Sequence, residues 1–497
     1  MSRMLTVVPA PVSAQPRPDA DFEVDASTAI VAVDGAGPVA EYLAGILRPA
    51  TGYALPVVAD SRPGSITLTI DGGDGDPAGY RLDVERTGVA LRAAGAAGLF
   101  AGVQTLRQLL PPAIEAAARG SGPWTVAGGH VADRPRYAHR GVMLDVVRHF
   151  FTIAEVRRFI DLVAQYKVNV LHLHLSDDQA WRLEIRRWPR LTGHGGSTQV
   201  GGGPGGFYTQ EQFRDLVAYA ASRHITVIPE LDVPGHTTAA LASYPELTCD
   251  GVEPPLFTAI GNATGFSSLC TDKEVTYRFV DEVFAEVAAL TPGGFLHIGT
   301  DETHATPEEG YLRFVERVLP LVGRHGKTVI GWQEVLRAAV PPSVVAQYWG
   351  RGTDDATVAA AAARGNPVIL SPSKSAYLDM KYTEETPIGF KWAGYVDVDK
   401  AYGWDPETVV EGLPPSAVLG VEAPLWTETV ERFDQVEYMT FPRLPAIAEL
   451  GWSPRSTHDW PDFRRRLAAH GPRLAVQGVN FHRSALIPWE EQIPWEG

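Results

Sequence analysis

The chain has 497 residues, 45% hydrophobic and 21% charged, with a formal net charge of −16; this is the make-up of a soluble globular protein of two or three domains, unless one is a large barrel. The acidic balance and the lack of any basic run exclude nucleic acid as a partner, because phosphate binding relies on clustered Lys and Arg. No stretch approaches the ~20 apolar residues of a membrane span, so a membrane partner is excluded too.

At the amino terminus, Arg3, a short apolar run and Val12-Ser13-Ala14 imitate a secretion signal in outline, but Pro9 and Pro11 interrupt the run. An extended opening strand of the first domain is the expectation, with the cytoplasm favoured and secretion the alternative. Residues 1–135 read as a smaller α/β (α+β) domain. Strand-like runs at 28–33, 66–70, 80–84 and 89–93 alternate with helix-like runs at 38–47 and 96–110. The Pro-, Gly- and Ala-rich stretch 111–124 reads as a linker or surface loop.

From 136 to 485 the rhythm becomes strand, loop, helix. Eight strand-like runs, at 140–146, 168–175, 225–232, 294–299, 327–332, 344–349, 367–371 and 419–426, are dense in Val, Ile and Leu. A parallel sheet buried on both faces requires such runs. Four helices open on Thr-x-x-Glu/Gln, at 152–155, 209–212, 271–274 and 306–309, the capping-box arrangement. Ile153, Val156, Ile160 and Val163 then share one helical face, as a helix packing on a sheet needs. The expected fold class is therefore α/β: a (β/α)8 TIM barrel preceded by a smaller α/β domain, with a C-terminal tail over 486–497. A doubly wound open sheet is the rival. The Gly-rich stretch 193–208 is not its nucleotide fingerprint, because it lies far from the end of the second strand and lacks a Walker lysine. It reads as a mobile surface loop.

Two cysteines, Cys249 and Cys270, are too few for a disulfide scaffold. One local loop-closing bridge and two free thiols both remain open.

In such a barrel the C-terminal strand ends converge on one site. There the sequence places Asp145 and Arg148, then His172, His174, Asp177 and Asp178, then Asp232 and His236, then Asp301 and Glu302. Trp332, Trp349, Tyr377, Asp379, Trp426 and Glu428 follow in the later strands. Three tryptophans beside carboxylates and an arginine make a carbohydrate pocket, since sugar C–H faces stack on indole while charged groups fix the hydroxyls. The rival is a metal hydrolase with His172 and His174 as a two-imidazole arm and His236 and Asp301 completing the ligands. No third histidine has ligand spacing, and that reading leaves the tryptophans unexplained.

The segment "HIGTDETH" at 297–304 sets Asp301 and Glu302 side by side. Side chains of neighbouring strand residues point to opposite faces, so both reach one substrate only where the strand ends and the chain turns. There, charge repulsion and partial burial are expected to keep Glu302 protonated as an acid. Most glycosidases hold their two carboxylates about 5–9 Å apart across the scissile bond, which adjacent residues suit poorly. They suit a mechanism in which the substrate brings its own nucleophile.

With "MLDVVRHF", "LHLHLSDDQAWR", "PELDVPGHT", "HIGTDETH", "QYWG", "YLDMKY", "WAGYV" and "EAPLWTE" in order, the sequence resembles the family 20 glycoside hydrolases, β-N-acetylhexosaminidases of the bacterial type. The resemblance runs from residue 7 to about 485. It implies a retaining exo-hydrolase of β-linked N-acetylhexosamine glycans or chitooligosaccharides, a monomer or homodimer, with catalysis assisted by the substrate's acetamido group. It implies Glu302 as general acid and base and Asp301 as the group that orients the acetamide. Tyr377 would bind the acetamido carbonyl oxygen. Trp332, Trp349 and Trp426 would wall the pocket, and Arg148, Asp379 and Glu428 would bind ring hydroxyls. Asp177 and His236 match the polar pair behind the acid. The resemblance implies a non-catalytic first domain, no cofactor and no metal, structural roles for His172 and His174, and a Cys249–Cys270 loop disulfide. One departure stands out: the family motif carries glycine where this chain has Thr300. If that position needs positive φ, a β-branched residue is strained there. The alternative is then an amino-sugar-binding member with reduced or lost turnover. Ala180, in place of a second family glycine, is a smaller departure.

Overall fold

The computed structural model describes residues 2–72, 75–260, 264–350 and 355–489; most of the expected tail, 490–497, lies outside them. Two compact units emerge: Met1–Ala138 with Ala164–Lys167 and Phe441–Gly497, and His139–Val163 with Val168–Thr440. Among the described residues no helix is long and apolar enough to cross a membrane.

The first unit is built on a seven-stranded mixed sheet. Its strands are β1 (Ser13–Pro16), β3 (Ile30–Val33), β4 (Val57–Val58), β5 (Ile66–Ile70), β6 (Tyr80–Glu85), β7 (Gly88–Ala93) and β9 (Gly129–Asp133), in the order β1-β9-β6-β7-β5-β3-β4. β2 (Phe22–Glu23) and β8 (Thr125–Val126) form a separate ribbon. Helices α1 (Gly37–Thr51) and α2 (Ala96–Leu109) pack against the sheet. Gly98 and Gly102 let α2 sit close: a Cβ at Gly98 would strike the Gly79 carbonyl, and one at Gly102 would strike Leu91. Stretch 111–124 is not merely a surface linker. Ile114 is buried, and Glu115 forms ion pairs with Arg107 and Arg473.

Eight parallel strands close the barrel of the second unit: β10 (His139–Asp145), β11 (Val170–His174), β12 (Thr226–Glu230), β13 (Phe295–His297), β14 (Thr328–Trp332), β15 (Val345–Tyr348), β16 (Val368–Leu370) and β17 (Val418–Leu425). The expected barrel is therefore present, with β17 pairing back onto β10. Its interior is layered by the two-residue period of a strand. Val170, Ile228, Ile330, Val345 and Ile369 form one apolar cluster. Two residues further along the same strands come His172, Glu230, Trp332, Gln347 and Ser371, all buried. An apolar floor thus carries a polar layer, and the pocket lies beyond it.

Local signals held where no tertiary partner competed. The capping boxes at Thr152 and Thr209 form. At 306–309 the Thr306 hydroxyl bonds Ser268 instead, and the helix starts at Glu308 with Pro307 as its cap. At 271–274 the helix starts only at Glu274, with no side-chain cap from Lys273. The Gly-rich stretch 193–208 is packed rather than loose. Trp181 N–H donates to the Gly195 carbonyl, Arg182 donates to the Gly196 and Gly206 carbonyls, and a Cβ at Gly195, Gly196, Gly205 or Gly206 would collide with neighbours.

The Glu115 cluster gives the first unit an acid-sensitive anchor. Burial alone would raise this carboxyl, but Arg107 and Arg473 hold it at about 2 against an ordinary 4.5. A depressed acid contributes stability above its unfolded pKa and loses it as pH falls through the folded value. Glu115→Gln should therefore lower stability by about 3 kcal/mol at neutral pH and flatten the loss between about pH 4.5 and 2. Chemical denaturation across that range checks it; a parallel pH dependence in the two proteins would refute the anchor.

Candidate active site

Beyond β13 the backbone leaves the strand through left-handed positions: Gly299 at φ 67°, Thr300 at φ 83° and Glu302 at φ 43°. This turn brings the adjacent side chains Asp301 and Glu302 onto one cavity of about 450 Å³. Gly299 is obligatory, because a Cβ there would collide with the Asp232 carboxyl. The same carboxyl accepts the Thr300 N–H at 3.0 Å, so Asp232 pins the turn.

Ten of the eleven residues singled out from the sequence line that cavity: Arg148, Asp177, His236, Asp301, Glu302, Trp349, Tyr377, Asp379, Trp426 and Glu428. Trp332 does not. It is buried behind the wall, its ring 5.9 Å from Trp426 and its indole N–H donated to Glu230 at 2.9 Å. Cys249 and Cys270 are joined in a disulfide away from the cavity lining.

Charge in the pocket is organised around Asp177. One of its oxygens meets Arg148 at 2.7 Å and His174 Nε2 at 3.0 Å; the other meets His236 Nδ1 at 3.2 Å. His236 Nε2 then faces Asp301 at 3.9 Å and Glu302 at 3.8 Å. Burial works against the Asp177 carboxylate, but Arg148 and His236 hold its pKa well below the ordinary range. Burial also opposes the His236 imidazolium, and Asp177, with Asp301 and Asp232, overcomes that and raises its pKa well above an ordinary histidine. For Asp301, burial and the neighbouring Glu302 outweigh His236 and raise the carboxyl. Burial and the neighbouring Asp301 charge raise the Asp232 carboxyl as well. Asp301 Oδ1, His236 Nε2 and Glu428 Oε2 are buried without a hydrogen-bond partner among the described residues, as polar atoms reserved for a ligand would be.

The aromatic wall stacks Trp349 on Tyr377 at 6.5 Å, with Trp426 6.5 Å from Tyr377. Arg148 lies over the Trp426 ring at 4.9 Å. His172 and His174 have both ring nitrogens on carboxylates: Glu422 and Glu230 for His172, Glu230 and Asp177 for His174. Both rings are thus engaged by acids, lie outside the cavity lining and present no two-imidazole arm to it.

Sequence reasoning placed Asp232 at the convergent strand ends without giving it a role, and passed over Phe390, Lys391 and Trp392 at the cavity. Asp232 was visible at the end of the third strand. Trp392 stood in a quoted block, and it is half exposed, edge-on to Trp349 and Tyr377. Glu230 and Glu422 carried a plainer signal: single acids inside otherwise apolar strand runs.

Residues 137–310 and 305–455 match the glycosyl hydrolase family 20 catalytic domain, and residues 4–134 match domain 2 of the same family. A β-N-acetylhexosaminidase of Cellulomonas fimi is 41% identical over 492 residues, covering 98% of this chain and 97% of that protein. Among solved structures, the GH20 β-N-acetylhexosaminidase of Streptomyces coelicolor A3(2) is 54% identical with a TM-score of 0.96, over 98% of this chain and 99% of that one. The Streptomyces plicatus N-acetyl-β-hexosaminidase in complex with Thio-NAglucal is 55% identical with a TM-score of 0.96, over 98% of each chain.

Thr300 meets the condition that makes it costly. It is fully buried at φ 83°, and its hydroxyl has no partner among the described residues. A non-glycine side chain in the left-handed region costs about 1–3 kcal/mol. Thr300→Gly should therefore raise stability by about 1 kcal/mol, the unfolded-state entropy of glycine offsetting part of the relief. Its turnover should equal or exceed wild type. Thermal unfolding of the two proteins checks this, and a less stable glycine variant would mean that packing of the threonine outweighs its backbone strain.

Proposed function

Because the chain belongs to glycosyl hydrolase family 20, we propose that its barrel cavity removes terminal, non-reducing β-linked GlcNAc or GalNAc with retention of configuration, using the substrate's own acetamido group as nucleophile. The observation that carries this reading is the pair Asp301–Glu302, turned onto one cavity from adjacent positions. Two carboxylates so close serve one face of a sugar: one handles the acetamide and the other the leaving group. The enzyme is thus a glycoside hydrolase of the β-N-acetylhexosaminidase class.

In the first step the acetamido carbonyl oxygen attacks C1 while the Glu302 acid gives its proton to the glycosidic oxygen, which departs as an alcohol. The product is an oxazolinium ion. Asp301 accepts the acetamido N–H through its unpartnered oxygen and balances the developing positive charge. Asp232, which holds the turn through the Thr300 N–H, keeps Asp301 aimed. Tyr377, its hydroxyl held in the acid form by burial and by Asp379 and Asp301, donates to the carbonyl oxygen and sharpens its approach to C1. In the second step water attacks C1, Glu302 takes its proton, and the acetamide is restored. Trp349 and Trp426 support the ring, with Trp332 backing them, and Arg148, Asp379 and Glu428 take the hydroxyls. His236, charged through Asp177, stands beside both acids as a fixed positive neighbour.

Hydrolysis of a chromogenic β-GlcNAc glycoside by wild type, Glu302→Gln and Asp301→Asn tests the assignment. Each variant should lose about a hundredfold or more in kcat, in line with the loss of a general acid or of an electrostatic stabiliser. Saturable GlcNAc binding by a wild type that turns nothing over would support the binding-only alternative, for which the strained Thr300 is the structural motive. Asp301 must be ionised to act, and its pKa is raised. The acid limb of kcat/KM should therefore lie above the ordinary aspartate value of 3.8, activity falling as pH drops through it. A limb at or below that value would refute this role for Asp301.

A further inference from the structure

Beneath the pocket, acids and imidazoles alternate through the barrel interior. Glu422 Oε1 meets His172 Nδ1 at 2.8 Å, and His172 Nε2 meets Glu230 Oε2 at 3.0 Å. Glu230 Oε2 meets His174 Nδ1 at 2.5 Å, and His174 Nε2 meets Asp177 at 3.0 Å. From Asp177 the line continues to His236 and the acid pair. At the far end, His139 Nε2 and the Gln347 amide each reach Glu422 at 2.8 Å. Gly141 makes room for that end, since a side chain there would collide with the Glu422 carboxylate.

We propose that Glu422, His172, Glu230 and His174 form a buried relay of alternating charge that holds Asp177 and His236 in place behind the acid pair, which makes Glu230 and Glu422 positioning residues for the reaction. The inference rests on the hydrolase reading of the cavity and extends it to residues that do not line it. Structural filling does not require these groups. One layer below, β11 and β12 join β14, β15 and β16 in filling the barrel with Val170, Ile228, Ile330, Val345 and Ile369, and buried ion pairs seldom stabilise more than apolar residues of equal volume. The relay supplies fixed charge. Burial opposes the imidazolium at both His172 and His174, yet Glu422 and Glu230 raise the first to about 9, and Glu230 and Asp177 raise the second to about 10. The other titratable groups facing this line are Arg148 and Asp145 at the end of β10, Asp178 beside Asp177, Asp232 beyond β12, His297 on β13 and His139 at the start of β10.

The experiment compares wild type, Glu230→Gln, Glu422→Gln and, as a blank, Glu302→Gln on 4-nitrophenyl β-GlcNAc from about pH 4 to 10. Glu422→Gln changes the end of the line furthest from the acids. It should lower kcat about tenfold or more at neutral pH with KM changed less than about threefold. The alkaline limb should move down by about one pH unit or more, because His172 loses an acid that held its proton, and activity should recover as lower pH recharges the ring. Glu230→Gln should do the same more severely. A kcat loss that only follows the folded fraction, with the limb unmoved, overturns the relay. Should neither variant fold, 15N-histidine NMR of the wild type decides. Rings of His172 and His174 that are imidazolium at about pH 8 support the relay, and neutral rings overturn it. A folded wild type as silent as Glu302→Gln would instead overturn the hydrolase reading beneath it.

Discussion

A carboxylate removed from water must be paid for by donors already in place, and Asp177 is where this molecule meets that demand. Arg148 reaches it from beyond β10, His174 from the end of β11, and His236 from beyond β12. Three segments far apart in sequence are thereby tied to one pair of oxygens, by charge-assisted bonds worth roughly 1.5–3 kcal/mol each. Removing any one donor leaves buried charge unbalanced, so the bonds fix geometry as well as energy. The pocket wall inherits that geometry. Arg148 carries the face of Trp426, and His236 faces both acids.

The turn after β13 is the second fixed point. A strand that simply continued would send Asp301 and Glu302 to opposite sides. The left-handed positions at 299, 300 and 302 undo that alternation, and Asp232 holds them by accepting the Thr300 N–H. Because Asp232 also lies beside Asp301, and the two carboxyls raise one another, one side chain both secures the backbone and bears on the charge of its neighbour.

Much of this was legible before any coordinates. The eight apolar runs announced the barrel because parallel strands buried on both faces leave no room for a polar alternation, and the barrel geometry then told which residues must meet. Thr300 stood out for another reason, that the family motif the sequence resembles carries glycine there. What escaped was written in single residues against their surroundings. Glu230 and Glu422 each interrupt an apolar run, and their purpose exists only once four strands close round them. Thr306 looks like a helix cap until Ser268, from a distant loop, takes its hydroxyl. The glycines between 193 and 208 imitate a flexible linker, although several of them are glycine because neighbouring backbone leaves no space for a side chain. In each case a non-local partner decided what local pattern could not.

The layering of the barrel has a further consequence. Trp332 and the charged tier of His172 and Glu230 are buried to within about one percent of full occlusion, above a floor of branched aliphatics. Among the described residues, this floor therefore closes the barrel interior beneath the cavity. On the proposed hydrolase reading, substrate and freed sugar then share the side of the cavity that faces away from this floor, which favours release after each cut.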